Sequence, residues 1–257
     1  MILARLIPKG SQKYQKINKD IYVYSDLIRN YNVLYLFAIW TMTVSGFTFM
    51  QGQLDRYSYW DWSGWLDGII RLVLATILFY WTSINGLWKV SDGRIRDIDI
   101  LKNIIICTVY FLIGAVNISF GVINILGVVP YISSFAAGIL IYEFKITYDQ
   151  IKQEWEIDSW DNKTNYFSIS LLLLIVSAIM GQMLDNPIIS TVSIVSLFFP
   201  AVALIWPNHI RHIKRVQFYP LFILAMFTCV RAPWFLIILG LLFFTIRSIN
   251  YLRYGIV

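Results

Sequence analysis

Two acidic stretches carry most of the side chains able to do chemistry. Residues 92–99 read Asp92-Gly93-Arg94-Ile95-Arg96-Asp97-Ile98-Asp99, and 149–161 carries Asp149, Glu154, Glu156, Asp158 and Asp161. Carboxylates from two segments meeting at one surface suit Mg²⁺, a hard cation that takes a few carboxylates together with substrate phosphates. Arg94, Arg96 and Lys163 are then placed to clamp phosphate oxygens. The competing reading of 145–163 is a solvated amphipathic helix whose Trp155 and Trp160 rest at a membrane interface. Other chemistries find fewer residues. His209 and His212 are the two histidines, too few for a three-His zinc or a haem held across spans. Cys107 and Cys229 lie in apolar runs, and neither a glycine-rich phosphate loop nor a Cys-x-x-Cys occurs. No lysine follows Lys214, which excludes a retinal Schiff base in the last helix.

The elements that must position these groups are membrane helices. Of 257 residues, 58% are hydrophobic and 14% charged, and the mean hydropathy is +0.64, whereas soluble domains carry about 25% charge. Seventeen Phe, sixteen Tyr and ten Trp suit a bilayer, where amphipathic rings gather at the headgroup levels. Against the roughly 20 residues that a helix needs to cross, the apolar runs predict spans near 33–51, 67–88, 103–126, 128–145, 166–184 and 188–206, followed by the tract 217–248. Runs such as 170–180 and 235–244 do not alternate, which excludes a transmembrane barrel. The expected fold class is all-α: a polytopic transmembrane bundle of about 8 spans, or 7 if 217–248 is one kinked helix. The expected organisation is a cytoplasmic amphipathic segment, 1–32, and one integral membrane domain, 33–257. Residues 1–32 are polar and basic without an apolar core, so no cleavable signal peptide is expected there.

Charge sorts the connectors by side. Lys and Arg mark the cytoplasmic face, and they concentrate before the first span, at 88–103, at 145–165 and at 207–217. A hairpin turning at Arg231-Ala232-Pro233 also brings Arg247 and Arg253 inside, so that eighteen of the twenty-one basic residues share one face. The single kinked helix instead puts the C-terminus outside and Arg231 at the bilayer centre. Both acidic stretches fall on the cytoplasmic face. The expected location is a bacterial inner membrane with the N-terminus cytoplasmic; the net charge of +6 reads as attraction to anionic lipid heads rather than to nucleic acid. Within the spans, Asp67 and Arg71 lie four apart and are expected to pair along one helix face. Asn117, Asn124 and Gln182 read as interhelical hydrogen-bonding groups. Arg231 either caps a hairpin at the outer interface or holds an anionic group.

The stretch Asp26-Leu27-Ile28-Arg29-Asn30-Tyr31-Asn32 resembles the opening of the first helix in UbiA-type membrane prenyltransferases, with Asn30 in place of that family's Pro. Ser83-Ile84-Asn85 is similar to the start of the family's first aspartate-rich motif, and Gly93-Arg94-Ile95 to the segment leading into its third helix. The resemblance covers roughly 24–126. Asp92 is the one aspartate of the first motif with a match, and Asp158-Ser159-Trp160-Asp161 is a degenerate second motif. The resemblance implies transfer of a polyprenyl group from its diphosphate to a lipophilic or aromatic acceptor, with Mg²⁺ drawing off charge as the diphosphate leaves. It implies Asp92, Asp158 and Asp161 as metal contacts and Asn32, Asn85, Arg94 and Lys163 as diphosphate contacts. The alternative class is a non-catalytic membrane subunit or lipid-binding scaffold of a larger complex. Expected partners are membrane lipids, prenyl diphosphate under the first reading, and a second copy or complex subunits under the other.

Overall fold

A computed structural model describes residues 2–30, 33–54, 65–85, 97–116, 122–142, 146–149, 152, 154–157, 162–216, 219, 222–223, 225–227 and 235–255. A short helix α1 (Ile2–Leu6) precedes α2 (Gln12–Asn30), whose start is capped by Ser11: its hydroxyl accepts from the Tyr14 backbone N–H at 3.1 Å. The apolar helices follow: α3 (Val33–Leu54), α4 (Trp65–Ile84), α5 (Asp97–Ala115), α6 (Val122–Tyr142) and α7 (Lys163–Met183). Then come α8 (Pro187–Ser196), α9 (Phe198–Ile205), the short α10 (Ile210–Val216) and α11 (Phe235–Tyr254).

The described residues hold three helical stretches long and apolar enough to cross a membrane: Leu66–Ile84, Lys163–Met183 and Pro187–Ile205. The third is continuous through Leu197, whose backbone stays right-handed helical between α8 and α9. Ile69, Ile70, Val73, Leu74, Ile77 and Trp81 of α4 are all exposed. A stripe of that kind is unfavourable in water and favourable against lipid tails.

Between α6 and α7 the chain forms a two-stranded antiparallel hairpin, β1 (Ile146–Asp149) and β2 (Glu154–Ile157), with Ile146 opposite Ile157 and Tyr148 opposite Trp155. The amphipathic helix considered for 145–163 is therefore replaced by strands, and helix resumes at Lys163. Ile, Thr, Tyr and Trp are residue types that favour strands, which suits this outcome.

Helix packing depends on small residues and hydroxyls. A Cβ on Gly46 of α3 would lie 2.0 Å from the Phe111 carbonyl oxygen of α5, and one on Gly114 of α5 would lie 2.0 Å from the Thr43 carbonyl oxygen of α3. The two backbones are thus in direct contact, the close approach that glycine permits in membrane helix pairs. Ser133 of α6 donates to the Leu173 carbonyl of α7 at 2.8 Å, and Ser170 and Ser177 of α7 return bonds to the Ala137 and Pro130 carbonyls at 3.0 and 2.7 Å. Ser177 and Ser193 link α7 to α8 at 2.7 Å. Phe49, Phe111, Tyr131 and Phe227 form an aromatic centre with ring spacings of 5.1–5.8 Å.

Two further contacts bear on the path of the last third. Ala225 packs on Leu239, together with Trp40 and Val44 of α3. In one continuous helix residues fourteen apart stand roughly 21 Å from each other, so a single unbroken helix cannot make that contact. The end of α11 also holds the N-terminal segment. Tyr14 donates to the Tyr251 carbonyl at 3.1 Å, Asn18 to the Leu252 and Arg253 carbonyls, and Tyr251 to the Ile7 carbonyl at 2.7 Å. Tyr14, Ile17 and Ile21 of this amphipathic segment cluster with Tyr251 and Leu252.

Candidate functional site

The Asp67–Arg71 pair forms as the spacing requires, with Arg71 Nε and Nη2 at 3.0 and 2.9 Å from Asp67 Oδ2. Its larger role was not visible in the sequence. Arg71 is only 6% exposed, and its Nη1 donates to the Ile113, Gly114 and Val116 carbonyls at 3.0–3.1 Å. The Ile113 and Gly114 carbonyls belong to the last turn of α5 and Val116 directly follows it, where a helix leaves its last four C=O groups without intrahelical partners. A cation there also complements the helix dipole. Arg71 therefore welds α4 to α5 and has its donors engaged by protein, which makes it a structural group.

Of the residues proposed for diphosphate and metal, Asn32, Asp92, Arg94, Asp158 and Asp161 lie outside the described residues, as do Arg231 and Asn117. Asn85 is exposed at the end of α4, where its Nδ2 donates to the Trp81 carbonyl at 2.8 Å and so caps its own helix. Lys163 donates to Asn208 Oδ1 beyond α9, joining the start of α7 to the loop at 206–209. Within the β-hairpin, Lys152 Nζ lies 2.6 Å from Glu156 and 3.9 Å from Asp149. Two of the acids read as possible metal ligands are therefore paired with a lysine. Among the described residues no three His, Cys, Asp or Glu side chains converge as a metal centre. Gln182 is exposed at the end of α7, and the interhelical amide here is Asn186. Its Oδ1 accepts from Ile189 N at the start of α8, and its Nδ2 donates to Tyr131 OH at 3.1 Å.

A well-formed concavity lies elsewhere. A groove of about 610 Å³ runs between α5, α6 and α7, lined among others by Ile104, Leu112, Val129, Ile132, Ser133 and Leu173. Every lining side chain but Ser133 is apolar, and the Ser133 hydroxyl is engaged by Leu173 O. From Ile104 to Ala115 the groove follows α5 for roughly 16 Å at 1.5 Å per residue. Among the described residues its walls offer no polar side chain other than Ser133, and they recognise a ligand mainly by shape and apolar contact. Among the described residues, none of 85–99 or 149–164 lines the groove.

No protein-family model, no curated protein and no solved structure matches this chain.

Proposed function

We propose that this chain is an eight-span membrane protein that seats the hydrocarbon chain of a lipid in the groove between α5, α6 and α7. The groove itself carries the proposal: it is long, open and lined by apolar side chains, and its walls are the candidate span α7 and the shorter apolar helices α5 and α6. In hydrocarbon such a space is filled by a chain rather than by water, which needs polar partners to enter.

Two contacts support eight crossings over seven. Ala225 against Leu239 favours the hairpin reading of 217–248, and the docking of Tyr14 and Asn18 on 251–253 favours both termini on one side. Arg71 bonding 113–116 fits the same threading, since the start of α4 and the end of α5 then share the outer half. The Lys163–Asn208 link joins two segments that the charge pattern puts inside.

The groove reading is tested by crosslinking. A photoactivatable lipid with its reactive group on the chain should label α5–α7 in purified protein. Val129→Trp, which fills the groove, should remove that labelling and leave labelling of the lipid-facing α4 unchanged. Equal labelling before and after filling, or labelling spread evenly over α4 and α5–α7, would contradict it.

Prenyl transfer is the second reading. It is supported by the resemblance over 24–126 and by the position of Asn85, at the end of α4 that leads through Asp92 and Arg94 to the start of α5 at Asp97. The described carboxylates do not assemble a magnesium site, and no reaction step is assigned to that ion. Metal-dependent turnover of a prenyl diphosphate by wild type, lost in Asp158→Ala and Asp161→Ala, supports this reading. Absence of product from purified wild type ends it.

A further inference from the structure

We infer that the N-terminal helix α2 is a clasp on the last helix, closed by anionic lipid headgroups at the membrane surface. At 100° per residue, Tyr14, Ile17, Asn18 and Ile21 occupy one sector of α2, and all four contact α11 or the cluster around Tyr251. Lys13, Lys16 and Lys19 occupy the opposite sector and are exposed, as is Arg5 on α1. Asp20 is an exposed acid on that cationic side. The apolar face of an amphipathic surface helix normally holds it to the bilayer. Here that face is committed to protein, so the outward lysines are what α2 presents to its surroundings at headgroup level. Leu6, 71% exposed, and Tyr24, 64% exposed, are side chains suited to that interface.

The protein side of the clasp is specific yet small. It consists of the Tyr14–Tyr251 edge-to-face pair with centroids 5.7 Å apart, three long-range side-chain hydrogen-bond donors, and the Lys9 side chain lying over Gly255. Gly255, at φ +67°, ends α11, with its N–H donating to the Tyr251 carbonyl at 2.7 Å. Complementary charge is the observation that selects the occupant. On the threading proposed above, this row of outward lysines lies beside the inner leaflet and meets phosphate-bearing headgroups, each lysine near an anionic surface shifting the equilibrium by about fivefold.

Hydrogen exchange of the full chain in lipid nanodiscs tests this. In phosphatidylcholine mixed with phosphatidylglycerol, protection of 12–24 should exceed that in phosphatidylcholine alone by at least about tenfold, while α7 stays unchanged. Lys13→Gln, Lys16→Gln and Lys19→Gln should each lower the anionic-lipid response by about fivefold, and high salt should abolish it. Tyr14→Ala should lower protection in both lipids, which separates loss of the protein contact from loss of lipid contact. Equal protection in the two lipids would overturn the inference. So would a triple Gln variant that still responds, or protection produced by inorganic phosphate in phosphatidylcholine discs, which would make the lysines a site for free anions.

Discussion

Replacing Arg71 by methionine probes the joint between α4 and α5. The substitution keeps the length of the apolar stem and removes the guanidinium that holds three carbonyls at the end of α5. Hydrogen bonds between membrane helices average about 0.6 kcal/mol in double-mutant cycles, so three give a lower bound of about 2 kcal/mol. Bonds to a charged donor reach about 1.5–3 kcal/mol each, and the two N–H groups of Nη1, shared among the three carbonyls, set an upper figure of about 6 kcal/mol. Asp67 contributes little to this total, because its side chain is 46% exposed and an exposed i,i+4 pair yields about 0.5 kcal/mol. Arg71→Met should therefore lose about 2–6 kcal/mol of stability, Arg71→Lys less, and Asp67→Asn under about 1 kcal/mol. Reversible unfolding of the purified protein in mixed micelles measures all three. If Asp67→Asn costs as much as Arg71→Met, or if Arg71→Met is neutral, the cap on α5 is not what anchors this joint.

Two other substitutions address packing. Gly114→Val and Gly46→Val should each cost about 3 kcal/mol or more, read as a drop in thermal stability, because even a Cβ would meet a carbonyl oxygen at 2.0 Å. Gly52, with nothing within 4 Å of an added Cβ, serves as the tolerant control. Asn186→Ala should cost about 2 kcal/mol in the same assay, about 1 from the lost cap of α8 and about 1 from the bond to Tyr131, while Gln182→Ala at the exposed end of α7 should be near neutral.

Hydropathy placed the apolar helices well where polar residues bound them. The run predicted as 33–51 is α3 at 33–54, and that predicted as 166–184 is α7 at 163–183. It failed between 103 and 145, where α5 ends at Ala115 and α6 starts at Val122 instead of 126 and 128, because Asn117, Ser119 and Gly121 read as polar or small positions within a span. There α5 stops at Ala115 because a guanidinium from another helix accepts the role of its cap, a fact held in Arg71, over forty residues away. α5 also begins earlier than predicted, at Asp97, since acidic residues at a helix start are favourable and extend it beyond the apolar stretch. The β-hairpin was legible in the alternation of 146–149 and 154–157, but charge drew attention to those acids as ligands. The docking of α2 on α11 depends on pairs more than 230 residues apart, and no periodicity in either segment announces it. Of the candidate site, the sequence supplied residue types without partners: the structure gives Asn85 and Lys163 protein neighbours, and places the α5–α7 groove among side chains that carry no chemistry.

Threading with both chain ends on one side underlies the lipid-groove and clasp readings alike. Reporter fusions at each terminus, one active only in the cytoplasm and one only beyond the membrane, measure it directly. Cytoplasmic activity at both ends is the expected result, together with a thiol at Arg231→Cys reachable from outside. Opposite signals from the two ends would require an odd number of crossings, and Tyr14 could not then lie against Tyr251.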